Sequence, residues 1–346
     1  MPRYHNINSN LILEALRGDK MTIYDIAKEA GVSASTVSRV VNGKPGVKDA
    51  TREKVKHLLA QYKYSPNETA RGLVNQASRM IGILISDIRT IHHTDGAYII
   101  EQELVKLGYC CIIFNTGADE ASKAGYIQIL SQRKVEGAVM IGSAFQTAAV
   151  ADAIEAYLPD VPVVIANGYL DLPNVYGVLA DEKYGVSACV DMLVKKGHTK
   201  LAFIIDVHTV SNDLKLEGYK FGVERNGGEI VVRECEPSLH GAYDATSKLM
   251  AERPDIDGII YAVDLLAAGG ARALTDLNIP VPERVAIMGI DNSIYAEICN
   301  PRLSTLDNKL LELSTASVRN LIDALQGKPV TKKMMIFSDI VERETT

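Results

Sequence analysis

The chain has 346 residues, enough for two or three domains, and 47% of them are apolar, enough to bury large cores. No apolar run reaches the roughly 18 residues of a membrane span; the start, MPRYHNINSN, has no signal-peptide core. Five cysteines without a CxxC pair fit buried filler in a reducing cytoplasm. The formal net charge of −6 is unevenly spread: residues 21–78 carry nine Lys/Arg against five Asp/Glu, a net of +4, and residues 79–346 carry 25 against 36, a net of −11. A basic head lowers the work of approaching phosphate, while an acidic body repels it.

Residues 1–20 hold one short helical pattern, SNLILEALRGD, about two turns long and too short to stand alone. Met21 stands directly before a stronger pattern, so the expectation is a dispensable extension or a true start at Met21; the competing reading is a real short helix with Leu11, Leu16 and Ile12 packing on the head. Ile23, Ile26, Ala27 and Ala30 then recur at helical spacing until Gly31 breaks the helix. Ser33 can cap a second helix whose apolar face is Val37, Val40 and Val41; NGKPG ends it. A third helix, about 49–62, carries Val55, Leu58, Leu59 and Tyr62. Two short helices on a glycine turn, closed by a third, make a helix-turn-helix unit. Small residues open the second helix and allow close approach to base edges, and Arg39 one turn on can give guanine two hydrogen bonds. Spacing alone leaves a second reading, a structural or partner-binding bundle.

The wording narrows this. TIYDIAKEAGVSASTVSRVVNG, TREKV and YSPNETARGL closely resemble the N-terminal module and hinge of the LacI (lactose-repressor) family. RVVNGKPGV and ARGL are most similar to its carbon-catabolite-control branch. The resemblance implies that Thr22 and Tyr24 meet phosphate and that Ala34, Ser35 and Arg39 read bases. Thr36, Ser38, Asn42, Thr51 and Tyr64 fall on backbone-contacting positions. Residues 65–78 correspond to the hinge helix, with Asn67, Ala70 and the minor-groove wedge Leu73 on DNA; by composition alone the segment also reads as a linker.

From residue 81 apolar runs alternate with helical patterns. Strands are expected at 81–86, 110–114, 137–142, 161–166, 176–180, 201–206, 229–234, 258–263 and 285–290, with helices such as 97–107, 183–196, 212–226 and 264–277 between them. Runs apolar on both faces suit parallel strands covered on both sides. The expected body, 79–341, is therefore two doubly wound parallel-sheet lobes, about 79–166 with 309–341, and about 176–306. It resembles the type I periplasmic-binding-protein fold and the LacI-family effector domain in GHTKLAFI, LEGYKFGV, VPERVAIMGID and PRLSTL.

In such sheets ligands sit at the carboxyl ends of strands. That rule and the resemblance place a small-molecule effector against Thr90, His92, His93, Ser143, Lys215, Val263, Asp264, Asp291 and Asn308. DIRTIHHT departs from the family wording, and Lys215 stands where the family has a bidentate arginine. A sugar is the family-level expectation; Lys215 and the histidines also suit an anionic group. No metal-ligand spacing, Walker loop or nucleophile elbow is present, so neither cofactor, metal nor catalytic residue is expected. The resulting reading is a cytoplasmic, effector-controlled DNA-binding regulator, a repressor by resemblance. It would sit as a homodimer, or a tetramer built from one, on near-palindromic operator DNA, away from membranes. Helices 97–107 and 264–277, the latter rich in small residues, are the expected dimer contacts. The competing reading is a ligand-binding or enzymatic α/β protein whose head serves a partner.

Overall fold

The computed structural model describes residues 21–41, 43–62, 64 and 78–346, and the chain divides into two compact units between Ser78 and Arg79. The expectations for residues 1–20, Asn42, Asn67, Ala70 and Leu73 fall outside the described residues.

Among its described residues the first unit holds three helices, α1 (Ile23–Ala30), α2 (Ala34–Val41) and α3 (Asp49–Gln61). Helices of this length are marginal alone. They are held by a shared core of Ile26, Ala27, Ala30, Val37, Val40, Val55 and Leu58. Gly31 ends α1 with φ +70°, the left-handed conformation that lets the chain turn at once into α2.

The second unit opens with β1 (Met80–Ile85), α4 (Ile91–Lys106), β2 (Cys110–Asn115), α5 (Glu120–Gln132), β3 (Gly137–Ile141), α6 (Ala148–Tyr157), β4 (Val163–Ala166) and β5 (Val175–Ala180). It continues with α7 (Glu182–Lys195), β6 (Leu201–Ile205), α8 (Val210–Arg225), β7 (Val232–Glu234), α9 (Leu239–Glu252), β8 (Gly258–Tyr261), α10 (Asp264–Asp276), β9 (Ala286–Ile290) and α11 (Ile294–Ile298). It ends with β10 (Ser304–Asp307), α12 (Leu310–Leu325), β11 (Lys333–Ile336) and β12 (Asp339–Val341). The strands form two six-stranded sheets, ordered β11-β5-β4-β3-β1-β2 and β12-β10-β9-β8-β6-β7. Every pairing is parallel except the edge pair β10–β12. β1, β3, β4, β6, β8 and β9 are apolar on both faces because helices cover both sides.

The lobe boundary needs correction. β5 pairs with β4 and β11, so the first lobe runs to Ala180 instead of ending near 166. The chain crosses at Asp181 into α7, returns after β10 into α12, and crosses a third time before β12. The second lobe also takes the C-terminal residues past 341: Thr345 is buried and its hydroxyl donates to Ile287 O at 2.8 Å. β10 to β12 were missed, since their short runs sit among polar residues. α4 begins at Ile91, six residues before the expected helix, because HHTDG carries no apolar period.

The two glycines of α10 are used inside the chain, so they do not by themselves place that helix at a dimer contact. A Cβ on Gly269 would stand 2.3 Å from Leu239 O of α9, and one on Gly270 only 1.9 Å from Tyr261 Oη of β8.

Candidate DNA-reading head and effector cleft

Thr22 caps α1 reciprocally: its Oγ1 accepts from the Asp25 N–H at 3.3 Å, and Asp25 Oδ2 accepts from the Thr22 N–H at 2.8 Å. Tyr24, the second residue of α1, is 73% exposed. Ser33 caps α2, its Oγ accepting from the Thr36 N–H at 3.2 Å and bonding Ser35 Oγ at 2.8 Å and Thr36 Oγ1 at 2.9 Å. Val37 and Val40 point into the core, so Ser35 and Arg39, four residues apart, share the exposed face. Ala34, Thr36 and Ser38 are half-buried beside them, as are Thr51 on α3 and Tyr64 beyond it. Sequence reasoning passed over Arg52, whose guanidinium donates to Lys44 O at 2.9 Å and braces the loop after α2.

The body brings most of the expected pocket residues to facing strand ends. His92 and His93 lie in the first turn of α4, and Thr90 is exposed at its cap. His92 Nδ1 is buried without a hydrogen-bond partner and lies 3.7 Å from Asp291 Oδ1 on the opposite lobe, beyond bonding distance. His93 sits under Gly142, its Nδ1 3.5 Å from Ser86 Oγ and 3.4 Å from Asp87 O. Burial, then the nearby His92, push His93 down to about 4, so the ring is neutral at physiological pH. Asp87 is tied to Arg89, whose guanidinium holds its carboxyl at about 2. Burial works to raise the Asp291 carboxyl, but His92, Lys215 and the Asn308 amide outweigh it and hold it below the ordinary value. Asn308 bridges the crossover: its Nδ2 donates to Asp291 Oδ1 at 3.2 Å, and its Oδ1 accepts from Ser338 Oγ at 2.9 Å. Val263 is half-buried at the start of α10.

Two expectations change here. Lys215 is only 3% exposed, and its ammonium donates to Ala262 O at 3.0 Å and Asn212 Oδ1 at 3.2 Å, with Glu182 Oε1 3.8 Å away. Its charge is already balanced, which removes the argument for an anionic effector. Asp264, 1% exposed, is committed to its own lobe, with Thr305 on Oδ1 and Ser293 on Oδ2.

Sequence reasoning missed the group that joins the lobes. Glu182, 2% exposed at the start of α7, accepts from Asn167 Nδ2 at 3.1 Å and Ser211 Oγ at 2.5 Å. The Ser211 N–H donates to Ser143 Oγ at 2.9 Å. Asn167 stands just past the carboxyl end of β4, where the strand-end rule already pointed, and Glu182 stands just past β5, where the rule could have found it had β5 been placed in the first lobe.

Among sequence-family models, one for bacterial regulatory proteins of the lacI family matches residues 22–67, and one for a periplasmic binding protein-like domain matches 190–346. An HTH-type transcriptional regulator of Lachnoclostridium phytofermentans is 32% identical over 333 residues, 94% of this chain and 99% of that protein. The chain belongs to the LacI family. As a LacI-family member it is a helix-turn-helix transcriptional regulator, not an enzyme. The ribose operon repressor of Halalkalibacterium halodurans is 30% identical over 334 residues, 94% of this chain and 97% of the repressor. The lac repressor dimer bound to operator and the anti-inducer ONPF superposes with a TM-score of 0.86 at 26% identity, covering 94% of this chain and 99% of that one.

Proposed function

We propose that this LacI-family regulator binds a near-palindromic operator as a homodimer and that an uncharged, hydroxyl-rich small molecule, a sugar, tunes that binding from the interlobe cleft. The observation that carries the effector class is the cleft's charge. Lys215 is offset by Glu182, His93 is neutral and Asp291 is ionised, so no unbalanced cation faces a ligand. A carboxylate such as that of Asp291 suits hydroxyl hydrogen bonds. The ribose operon repressor among its relatives and the operator-bound lac repressor dimer support the same assignment.

Apolar exposure supports pairing. Tyr98 on α4 is 66% exposed, and Val105 on α4 and Ile113 on edge strand β2 are exposed as well. Among the described residues no helix is long and apolar enough to cross a membrane; the cytoplasm, where its DNA lies, is the site of action we propose. The test is a labelled palindromic operator titrated at several salt concentrations, with and without a panel of neutral sugars. Specific, salt-dependent binding that one sugar shifts is the expected result. Binding indifferent to sequence, or shifted only by anionic metabolites, would overturn the proposal.

A further inference from the structure

We infer that Asp264 is a positioning residue that locks the Asp291–Asn292–Ser293 turn, so that the Asp291 carboxylate faces the interlobe cleft. Two consecutive non-glycine residues in this turn are left-handed, Asp291 with φ +108° and Asn292 with φ +50°. Such backbone persists only where its surroundings impose it. The turn follows β9, and three elements grip it. From β10, Leu306 O accepts the Asp291 N–H at 2.8 Å, and Thr305 Oγ1 accepts the Asn292 N–H at 3.2 Å. From the C-terminal segment, Arg343 Nη2 donates to Asn292 Oδ1 at 2.8 Å.

The third grip is the Asp264 carboxylate, at the first position of α10. Oδ2 accepts both the Ser293 N–H, at 2.7 Å, and the Ser293 hydroxyl, at 2.9 Å. Oδ1 accepts the Thr305 hydroxyl at 2.6 Å. That last bond orients Thr305 as acceptor for Asn292, so one carboxylate controls two of the three residues of the turn. The room is made for it: a Cβ on Gly289 would stand 2.1 Å from Asp264 Oδ1. Asp264 is thus a buried polar group occupied by Ser293 of the turn and by Thr305 of β10, while Asp291 beyond it reaches Asn308 and lies beside His92.

The value of this arrangement for effector binding rests on Asp291 being an effector acceptor, but its test uses no effector. Backbone amide exchange of the full chain is measured at pH 8 for wild type, Asp264→Asn and Ser293→Ala, together with the NMR resonances of the His92 ring. Asp264→Asn keeps the side-chain volume. It is expected to speed exchange of the 292 and 293 amides about tenfold, with β8 and the interior of α10 within about twofold of wild type. Ser293→Ala, which removes only the hydroxyl bond, is expected to give a smaller rise at the same amides and keeps the test open if Asp264→Asn folds poorly. As Asp291 leaves its place, the His92 resonances of Asp264→Asn should move toward those of Asp291→Asn. Unchanged exchange at 292 and 293 in both variants, or a uniform rise across the second lobe with His92 unmoved, would overturn the inference. A failed sugar titration would leave this result standing and bear only on the proposed effector.

Discussion

The Ser211 N–H donates a 2.9 Å hydrogen bond to Ser143 Oγ, tying the first turn of α8 in the second lobe to the end of β3 in the first. First-turn amides have no acceptor within their own helix, so this one is satisfied across the cleft. In Ser143→Ala the closed arrangement loses about 1 kcal/mol, the net worth of an ordinary hydrogen bond, or roughly fivefold in closed against open population. Small-angle scattering should show a larger radius of gyration for the variant. Superimposable profiles would mean that the contact does not govern closure.

Arg39 shares its exposed helix face with Ser35, opposite the buried Val37 and Val40. Arg39→Ala is expected to weaken operator binding by about 1–3 kcal/mol, the scale of one bidentate base contact. Its melting temperature should stay near that of wild type, because no core atom is removed. Fluorescence anisotropy on specific and scrambled duplexes checks this. Equal loss on both would make Arg39 a phosphate contact.

Much of this was legible from residue order. Helical spacing of Ile26, Ala30, Val37, Val40, Val55 and Leu58 gave the head, because three short helices must share one apolar seam. Alternating strand and helix patterns gave two parallel sheets, and the strand-end rule together with the family resemblance led to His92, Ser143, Asp291 and Asn308. What stayed hidden depends on three dimensions. Only pairing shows that β5 closes the first sheet. Lys215 carries a full charge in the sequence, and only its burial beside Glu182 reveals that it is balanced. Asp264 and Asp291 look equivalent as strand-end aspartates, yet one is walled in by Ser293 and Thr305 and the other lines the cleft.

The Lys215–Glu182 pair is buried on both sides, with side-chain exposures of 4% and 1%. Lys215→Ala strands the Glu182 carboxylate and leaves Ala262 O without its donor. Removing one partner of a buried pair costs about 3–5 kcal/mol. The variant is therefore expected to lose stability first and effector response as a consequence, whereas Asp291→Asn should lose response with stability nearly intact. Urea denaturation of both separates these effects. Equal stability for wild type and Lys215→Ala would contradict the buried-pair account.

Tyr261 Oη occupies the space over Gly270 and bonds Thr246 Oγ1 at 2.9 Å. Gly270→Ala forces the ring away and breaks that buried bond, so a loss of about 1–3 kcal/mol from overpacking is expected. Sedimentation at fixed protein concentration should still show the same association state as wild type at temperatures below the melt. Dissociation without loss of protomer stability would instead return α10 to the dimer contact.

The pH response of Asp264 has a definite sign. Burial first, then the charge of Asp291, push its carboxyl up to about 7, against the bonds from Thr305 and Ser293. A folded value above the ordinary 3.8 means that the native state takes up a proton between about pH 4 and 7. The stability this group contributes is fully present below about pH 4 and is lost as pH rises through about 7. Its function runs the other way, since a protonated carboxyl is a poorer acceptor for Ser293 and the turn loosens. The groups around it are Asp291 from the turn, Cys299 after α11 and Thr305 on β10, while His92, His93 and Lys215 face Asp291. His93, at about 4, stays neutral through this range. Between pH 8 and 6 the wild type should therefore gain stability by on the order of 1 kcal/mol, while the turn amides, corrected for intrinsic rate, exchange faster. Asp264→Asn should show neither trend. If both trends survive in Asp264→Asn, Asp264 is not the group that sets them.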